Sequence, residues 1–329
     1  MFNVTYAETK LDALTLLSRT SFDCAVVDLR LPDASATEVA SAPLGNDILK
    51  KLLEDIGIPT VVYSAYEGEA SEAIGSSNIR VHTKQGGEGQ QILASFAAQS
   101  GLMAAMKATR NSISKATALL FNQSIWLRWE TRWAKEEDKQ MITDVIARQT
   151  ASHIADALAQ ATLNHHPDEF YVVPALYLNR VDTGDLFVID GQVHVVLSPR
   201  CNMANKQPSH IVLAVCSPMQ DWVSWRECFL TGNAKQREKA VKDMRSHASQ
   251  GHGIATHFLP PLSDKGPWLV EFQEVRTIQF EDINALLPQR IASIAPHFIP
   301  NLVQRYSSYL GRIGQPDINP DILMALCKG

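Results

Sequence analysis

Three polar residues that each follow an apolar run are the first candidates for chemistry. Asp28 ends the run FDCAVVD, Ser64 follows IPTVVY, and Lys84 follows IRVHT. The three residues before Asp28 show no polar alternation, which predicts a strand buried on both faces, as in parallel sheets. Open α/β sheets place their ligand chemistry at the carboxyl ends of such strands. A carboxylate at this position is therefore a candidate site residue.

The order and spacing of these residues resemble response-regulator receiver domains. The stretch 22–33 (FDCAVVDLRLPD) resembles their phospho-accepting strand, an apolar run followed by Asp, Leu, any residue, Leu or Met, and Pro. The resemblance implies a flavodoxin-like α/β domain over residues 1–98. Asp28 would be the phospho-acceptor, and Ser64 and Lys84 would contact the phosphoryl group. Taken alone, Asp28 could instead be a solvated carboxylate that caps a strand end.

The stretch FNVTYA is predicted to be the opening strand. One part of the receiver pattern is not found before it. Receivers carry before it a first strand that ends in two acidic residues. The resemblance implies that those acids bind Mg²⁺, so Mg²⁺ at Asp28 is expected only if they are supplied. Three interpretations stay open: about thirty residues were lost at the start, the size of a strand plus its crossover helix; another segment or chain supplies the strand; or the receiver is degenerate. We favour a receiver that binds without being phosphorylated.

Residues 99–166 read as a helical connector, because apolar residues recur at spacings near three and four. The simple interpretation is a hairpin or bundle that packs the domains together. The alternative is a dimerisation helix, which predicts a homodimer. Trp126, Trp129 and Trp133 lie three and four positions apart and are predicted to share one helical face, in a core or helix interface rather than a ligand site.

Residues 167–329 are predicted to form a small-barrel output module with a helical tail. The stretches YVVPALYL, DLFVID, VHVVLS and HIVLAVC read as strands, with Asp190-Gly191 as a hairpin turn. Short antiparallel strands of this kind favour an SH3-like barrel or a curled sheet. The stretch WLVEFQEVRTIQF adds a further strand, and residues 283–310 are predicted to be helical.

The segment 184–204 (GDLFVIDGQVHVVLSPRCNMA) resembles the barrel of toxin-type endoribonucleases, which also open with Gly-Asp and an apolar strand. That resemblance implies that Arg180 or Arg200 would steady a phosphate, with Ser198 or Ser217 nearby. A barrel that only binds is the alternative, and we favour it. The basic stretch 233–249 is a candidate contact for nucleic acid or an acidic partner; a solvated helix face is the alternative, and we favour it.

Composition limits the function classes. The net charge is −5 with no Lys/Arg block, which argues weakly against strong nonspecific nucleic-acid binding. The sequence lacks a signal peptide and any run long enough to cross a membrane, so we expect a cytoplasmic protein. Five scattered Cys without a CxxC pair indicate reduced thiols and no zinc site.

Together these features predict a two-component-type signalling protein with a histidine kinase or another signalling protein as partner. A receiver-gated endoribonuclease or nucleic-acid-binding barrel is the alternative. The resemblance also permits a role in bacterial anti-phage or conflict signalling.

Overall fold

The computed structural model describes residues 2–35, 37, 42–70, 79–84, 86–159, 165–175, 177–205, 209–314 and 316–327. The chain is a mixed α/β protein that divides into two compact units, Met1–Thr162 and Leu163–Gly329. Most of the segment predicted as a connector therefore belongs to the first unit. None of the helices in the described ranges combines the length and apolar character needed to cross a membrane.

The first unit contains a three-stranded parallel sheet in the order β1-β2-β3. Ala25 pairs with Thr60, and Val61 pairs with Arg80. The elements of this unit are α1 (Lys10–Arg19), β1 (Ala25–Val27), α2 (Gly45–Lys51), β2 (Thr60–Ser64), β3 (Arg80–Thr83), α3 (Glu88–Ala98), α4 (Ser100–Leu120), α5 (Trp126–Trp129) and α6 (Lys139–Ala159).

Two apolar clusters hold this sheet, one on each face. Val27 and Val62 belong to a cluster with Ile48, Leu49 and Leu52 of the α2 segment, and Leu14 and Leu17 of α1 pack against it. The other cluster joins Val61 of β2 to Ile92 and Phe96 of α3. Consecutive strand residues enter opposite clusters because side chains alternate between the two faces of a strand. Helices on both faces explain why β2 is an uninterrupted apolar run, and most of its residues are buried. The prediction that β1 is buried on both faces is wrong in part, because Val26 is 50% exposed.

The predicted opening strand at FNVTYA is wrong, because residues 2–7 form no strand and are largely exposed. Within the described residues, β1 pairs with β2 only. The N–H of Ala25 donates to the carbonyl of Pro59, so the backbone groups of Val26 point to the opposite side of β1. A cavity of about 420 Å³ lies there, lined by residues 2–7 and by side chains of β1, α1 and α3. An alternating sequence forms a strand only when a neighbouring strand pairs with it.

The helical region of the first unit has a small core of its own. Leu120, Ile125, Trp129 and Ile142 form it, at the end of α4 that faces the turn toward α6. The predicted shared tryptophan face is not formed. Trp129 is buried, but Trp126 is 66% exposed and Trp133 is 40% exposed. The physical reason is that the helix ends after Trp129, and Trp133 begins a separate 3₁₀ turn.

The second unit is built on a curled seven-stranded antiparallel sheet in the order β4-β10-β5-β6-β7-β9-β8, with the shape of a half-barrel. Its elements are β4 (Tyr171–Val172), β5 (Asp185–Ile189), β6 (Gln192–Val196), α7 (Arg200–Ala204), β7 (His210–Pro218), α8 (Asp221–Thr231), α9 (Ala234–Ala248), β8 (Thr256–Leu259), β9 (Trp268–Gln279), β10 (Arg290–Ile294), α10 (Ile299–Leu310) and α11 (Pro320–Leu326).

Alternating side chains of this sheet enter two separate cores. Leu186 and Val195 face a core that α10 covers with Leu302, whereas Phe187 and Val196 face the opposite core. The hairpin between β5 and β6 turns at Asp190-Gly191, as predicted. Both residues have positive φ, 54° and 77°, which a tight two-residue hairpin requires and which Asp and Gly tolerate.

Two sequence predictions in this unit are wrong in part. Only Tyr171–Val172 of the stretch YVVPALYL is a strand among its described residues. The helix predicted over residues 283–310 is interrupted, because a 3₁₀ segment and strand β10 precede α10. Pro288 ends the first segment, and RIASI then pairs with β5 and β4. A short strand inside an apolar region has too few residues to be distinguished from a helix by periodicity.

Candidate functional site

The sheet of the first unit brings Asp28, Ser64 and Lys84 to one edge. Asp28 directly follows β1, Ser64 is the last residue of β2, and Lys84 directly follows β3. Because the strands are parallel and in adjacent positions, their carboxyl ends meet at the same edge. The backbone N–H of Lys84 also donates to the carbonyl of Ser64, at 3.1 Å, and this bond continues the ladder to the site.

The Asp28 carboxylate receives a hydrogen bond on each oxygen. The Ser64 hydroxyl lies 2.8 Å from Oδ1, and the Lys84 ammonium lies 2.6 Å from Oδ2. The backbone N–H of Arg30 also donates to Oδ1, at 3.3 Å. Ser64 is fully buried, whereas the side chains of Asp28 and Lys84 are 27% and 41% exposed. The site is therefore an oriented carboxylate, open to solvent, beside one cation and one hydroxyl.

This arrangement orients the Asp28 carboxylate. Its two oxygens offer about four lone-pair positions, so the hydrogen bonds from Ser64 and Lys84 reduce the basicity of the carboxylate without blocking either oxygen. The same Lys84 ammonium and Ser64 hydroxyl would stabilise negative charge on a group attached to Asp28, because both are donors fixed by the strand ends.

A second ion pair borders the site on the loop after β2. Arg30 forms a forked pair with the two carboxylate oxygens of Glu69, and its guanidinium lies 3.9 Å from the centre of the Tyr66 ring. The hydrogen bond from Arg30 holds the pKa of Glu69 below its usual value. The neighbouring carboxylate, Glu67, accepts from the Thr83 hydroxyl. The loop after β2 therefore forms hydrogen bonds with a residue that follows β1 and with the last residue of β3.

The described residues do not fit an Mg²⁺ site at Asp28. They contain no group of three Asp, Glu, His or Cys residues that could hold a metal. Glu67 and Glu69 have the partners given above, and Lys84 pairs with Oδ2 of Asp28. A divalent cation at Asp28 would need further oxygen ligands.

In the second unit, the structure joins some of the predicted output-site residues and separates others. The side chains of Arg180 and Arg200 approach the same oxygen of Asp182, at 3.6 Å and 3.0 Å. Ser198 is buried and accepts from the backbone N–H of Val212. Ser217 lies five positions beyond Val212 on β7, roughly 15 Å away at the rise of a strand. These four residues therefore do not converge on one pocket.

Sequence reasoning missed a buried polar network beneath the two arginines. Arg290 Nη1 donates to Asp185 Oδ2 at 2.9 Å, and the Ser293 hydroxyl donates to the other oxygen of Asp185. Burial is the main influence on Asp185 and raises the pKa of its carboxyl, against the lowering effect of these donors. One signal was available: Asp185 opens an apolar strand, where a charge needs a partner.

Comparison with protein-family models, curated proteins and solved structures finds no match for this chain. Its function therefore has to be argued from the geometry of its own residues.

Proposed function

We propose that this chain is a two-component-type signalling protein whose first unit is a receiver-like docking domain. One observation carries the proposal, the convergence of Asp28, Ser64 and Lys84 at one edge of a parallel sheet. The order β1-β2-β3 agrees with the third, fourth and fifth strands of the flavodoxin-like order 2-1-3-4-5. The role of the unit would be to bind a histidine kinase or another signalling protein and to control the second unit.

The receiver-like unit works in this proposal without accepting a phosphoryl group. The described residues contain no group of three metal-ligating side chains that could hold Mg²⁺ at Asp28. Lys84 screens part of the charge of Asp28, but without a divalent cation the repulsion between this carboxylate and an anionic phosphodonor is only partly offset, which disfavours attack. A working phosphorylation switch is the competing version of the same function, and it requires acidic ligands from elsewhere.

Intact-mass measurement after treatment with acetyl phosphate and Mg²⁺ separates the two versions. We expect no added phosphoryl group on the folded chain, and the Asp28→Asn variant should behave identically. An adduct on the native chain that disappears in Asp28→Asn would overturn the phosphorylation-independent version and establish a switch.

Docking is tested with a purified histidine kinase core. We expect that it binds the native chain and that the charge-reversed variant Asp28→Lys, which places two cations together, binds at least about tenfold more weakly. Equal affinity for both chains, or no binding to either, would contradict a docking role for this edge.

A receiver-gated endoribonuclease is not supported by a specific observation. The predicted Ser217 lies far along β7 from Ser198 and Arg200, so no arrangement for cleavage is assembled. The homodimer through the helical region stays a prediction; exposed apolar side chains there, such as Leu119, Trp126 and Leu127, favour it. Light scattering at increasing protein concentration would test it.

A further inference from the structure

Two arginines of the second unit share one buried carboxylate. Arg200 Nε lies 3.0 Å and Arg180 Nη2 lies 3.6 Å from Oδ2 of Asp182, whose side chain is 4% exposed. The other oxygen of Asp182 accepts from the backbone N–H of Thr183, at 2.8 Å. Asp182 is therefore fixed by the backbone, and it holds the two guanidinium groups next to each other.

The charge at this place is not balanced. The third arginine of the region, Arg290, is neutralised by Asp185, and it also donates to the backbone carbonyls of Tyr177 and Arg180. Among the described ion pairs, two cations and one carboxylate then remain, a surplus of one positive charge. A buried carboxylate needs one arginine for neutralisation. The second arginine is not explained by the stability of Asp182.

Both arginine side chains are partly open to a ligand. They are 40% and 41% exposed, although Nε of Arg180 and Nε and Nη2 of Arg200 are buried, so a ligand would contact the remaining nitrogens. Apart from their ion pairs with Asp182, the buried nitrogens have no hydrogen-bond partner among the described residues, which is unusual for a folded protein. The Tyr177 ring lies 3.8 Å from the Arg180 guanidinium carbon and is 40% exposed, and the neighbouring Leu178 is 68% exposed.

We propose that Arg180 and Arg200 form a binding site for the phosphodiester backbone of a single-stranded nucleic acid. A phosphodiester carries one negative charge, which equals the surplus of this cluster. Guanidinium groups donate charge-assisted hydrogen bonds to phosphate oxygens. Tyr177 supplies an aromatic face on which a base can stack beside the phosphate. The site lies in the second unit and does not depend on the receiver-like function proposed for the first.

The test is fluorescence anisotropy of a labelled short uridine oligonucleotide with the full chain. Arg180→Gln and Arg200→Gln should each weaken binding about tenfold or more, since each removes charge-assisted hydrogen bonds. Arg276→Gln is the matched control, because Arg276 is also 40% exposed and pairs with an aspartate, Asp190, in the same unit. That control should leave the affinity unchanged. Melting curves of all variants confirm that they fold.

Three further measurements make the result specific. The same oligonucleotide with an uncharged methylphosphonate backbone should bind as weakly as the Arg200→Gln variant binds the native oligonucleotide. The logarithm of affinity against the logarithm of salt concentration should lose about 0.7 from its slope for each phosphate contact removed. Asp182→Asn should bind the oligonucleotide more tightly, because it removes a carboxylate that competes with the ligand for both arginines.

The proposal is overturned if the native chain does not bind the oligonucleotide, or if Arg276→Gln weakens binding as much as Arg180→Gln and Arg200→Gln do. Equal binding of the charged and uncharged backbones would also overturn it. Competition by inorganic phosphate alone at the same concentration as the oligonucleotide would mean a site for free phosphate instead of a nucleic-acid strand.

Discussion

The two units contain the same three chemical groups in opposite environments. In the first unit a carboxylate, a serine hydroxyl and a cation meet as Asp28, Ser64 and Lys84. In the second unit the same groups meet as Asp185, Ser293 and Arg290. The side chains of Asp28 and Lys84 are 27% and 41% exposed, whereas those of Asp185 and Arg290 are 3% and 6% exposed.

This difference in burial separates a site from a structural anchor. Asp28 lies at the ends of parallel strands beside a cavity, where a partner or ligand can reach it. Asp185 lies between strands, and its cation also bonds three backbone carbonyls, so any change there disturbs the fold. The same trio of groups is therefore accessible to a ligand where it is open, and it stabilises the fold where it is closed.

The largest expected effect comes from breaking the closed trio. Arg290→Met should destabilise the second unit by about 3–5 kcal/mol, because it leaves the buried Asp185 carboxylate without its cation. Hydrogen exchange detected by mass spectrometry measures this, since it reports opening of β5 separately from opening of β1. Arg276→Met is the control, because its pair with Asp190 is exposed, and we expect less than about 1 kcal/mol. Equal effects of the two substitutions would contradict the assignment of Arg290 as an anchor.

Acid should also destabilise the second unit, through protonation of His257. This side chain is 1% exposed, and neither ring nitrogen has a hydrogen-bond partner among the described residues. Burial, with Arg305 and His252 nearby, lowers its pKa to about 3. The unfolded chain then binds the proton more readily than the folded one, so stability is complete above the ordinary pKa of about 6.5 and is lost as the pH falls toward 3.

For one histidine, acidification from pH 8 to pH 5 should remove about 2 kcal/mol of the free energy of unfolding of the second unit. The His257→Asn variant should lose this part of the pH dependence, whereas the variant His210→Asn, which alters an exposed histidine, should keep it. Hydrogen exchange of β8 at both pH values measures the difference. An unchanged pH profile in His257→Asn would show that other groups control acid stability.

The open site was predictable from the sequence because its residues end apolar runs. A strand that is buried on both faces has no polar alternation. The first polar residue after its apolar run therefore shows where the strand ends. That reasoning marked Asp28. The resemblance to receiver domains added Ser64 and Lys84, and the structure brings all three into contact. The hairpin at Asp190-Gly191 was equally clear, because few residues accept positive φ.

The closed trio was not predictable, since its members come from distant parts of the chain. Asp185 and Arg290 are 105 positions apart, and their contact depends on β10 lying beside β5. Sequence periodicity does not report which strands become neighbours. The misplaced helix over residues 283–310 hid β10 itself, and with it the partner of Asp185. The pairing of Arg180 with Arg200 through Asp182 was also not predicted, although the predicted hairpin of β5 and β6 brings these two segments together.

The smallest expected effect concerns the open trio. Lys84→Met should change the free energy of unfolding of the first unit by less than about 1 kcal/mol, since a half-exposed ion pair contributes little and Asp28 stays solvated. Hydrogen exchange of β1 measures this, and Ser64→Ala should have a larger effect because Ser64 is fully buried. A loss of several kcal/mol in Lys84→Met would mean that the Asp28 edge holds the fold together. In that case, Lys84 would be an anchor like Arg290, and Asp28 would not be available for docking.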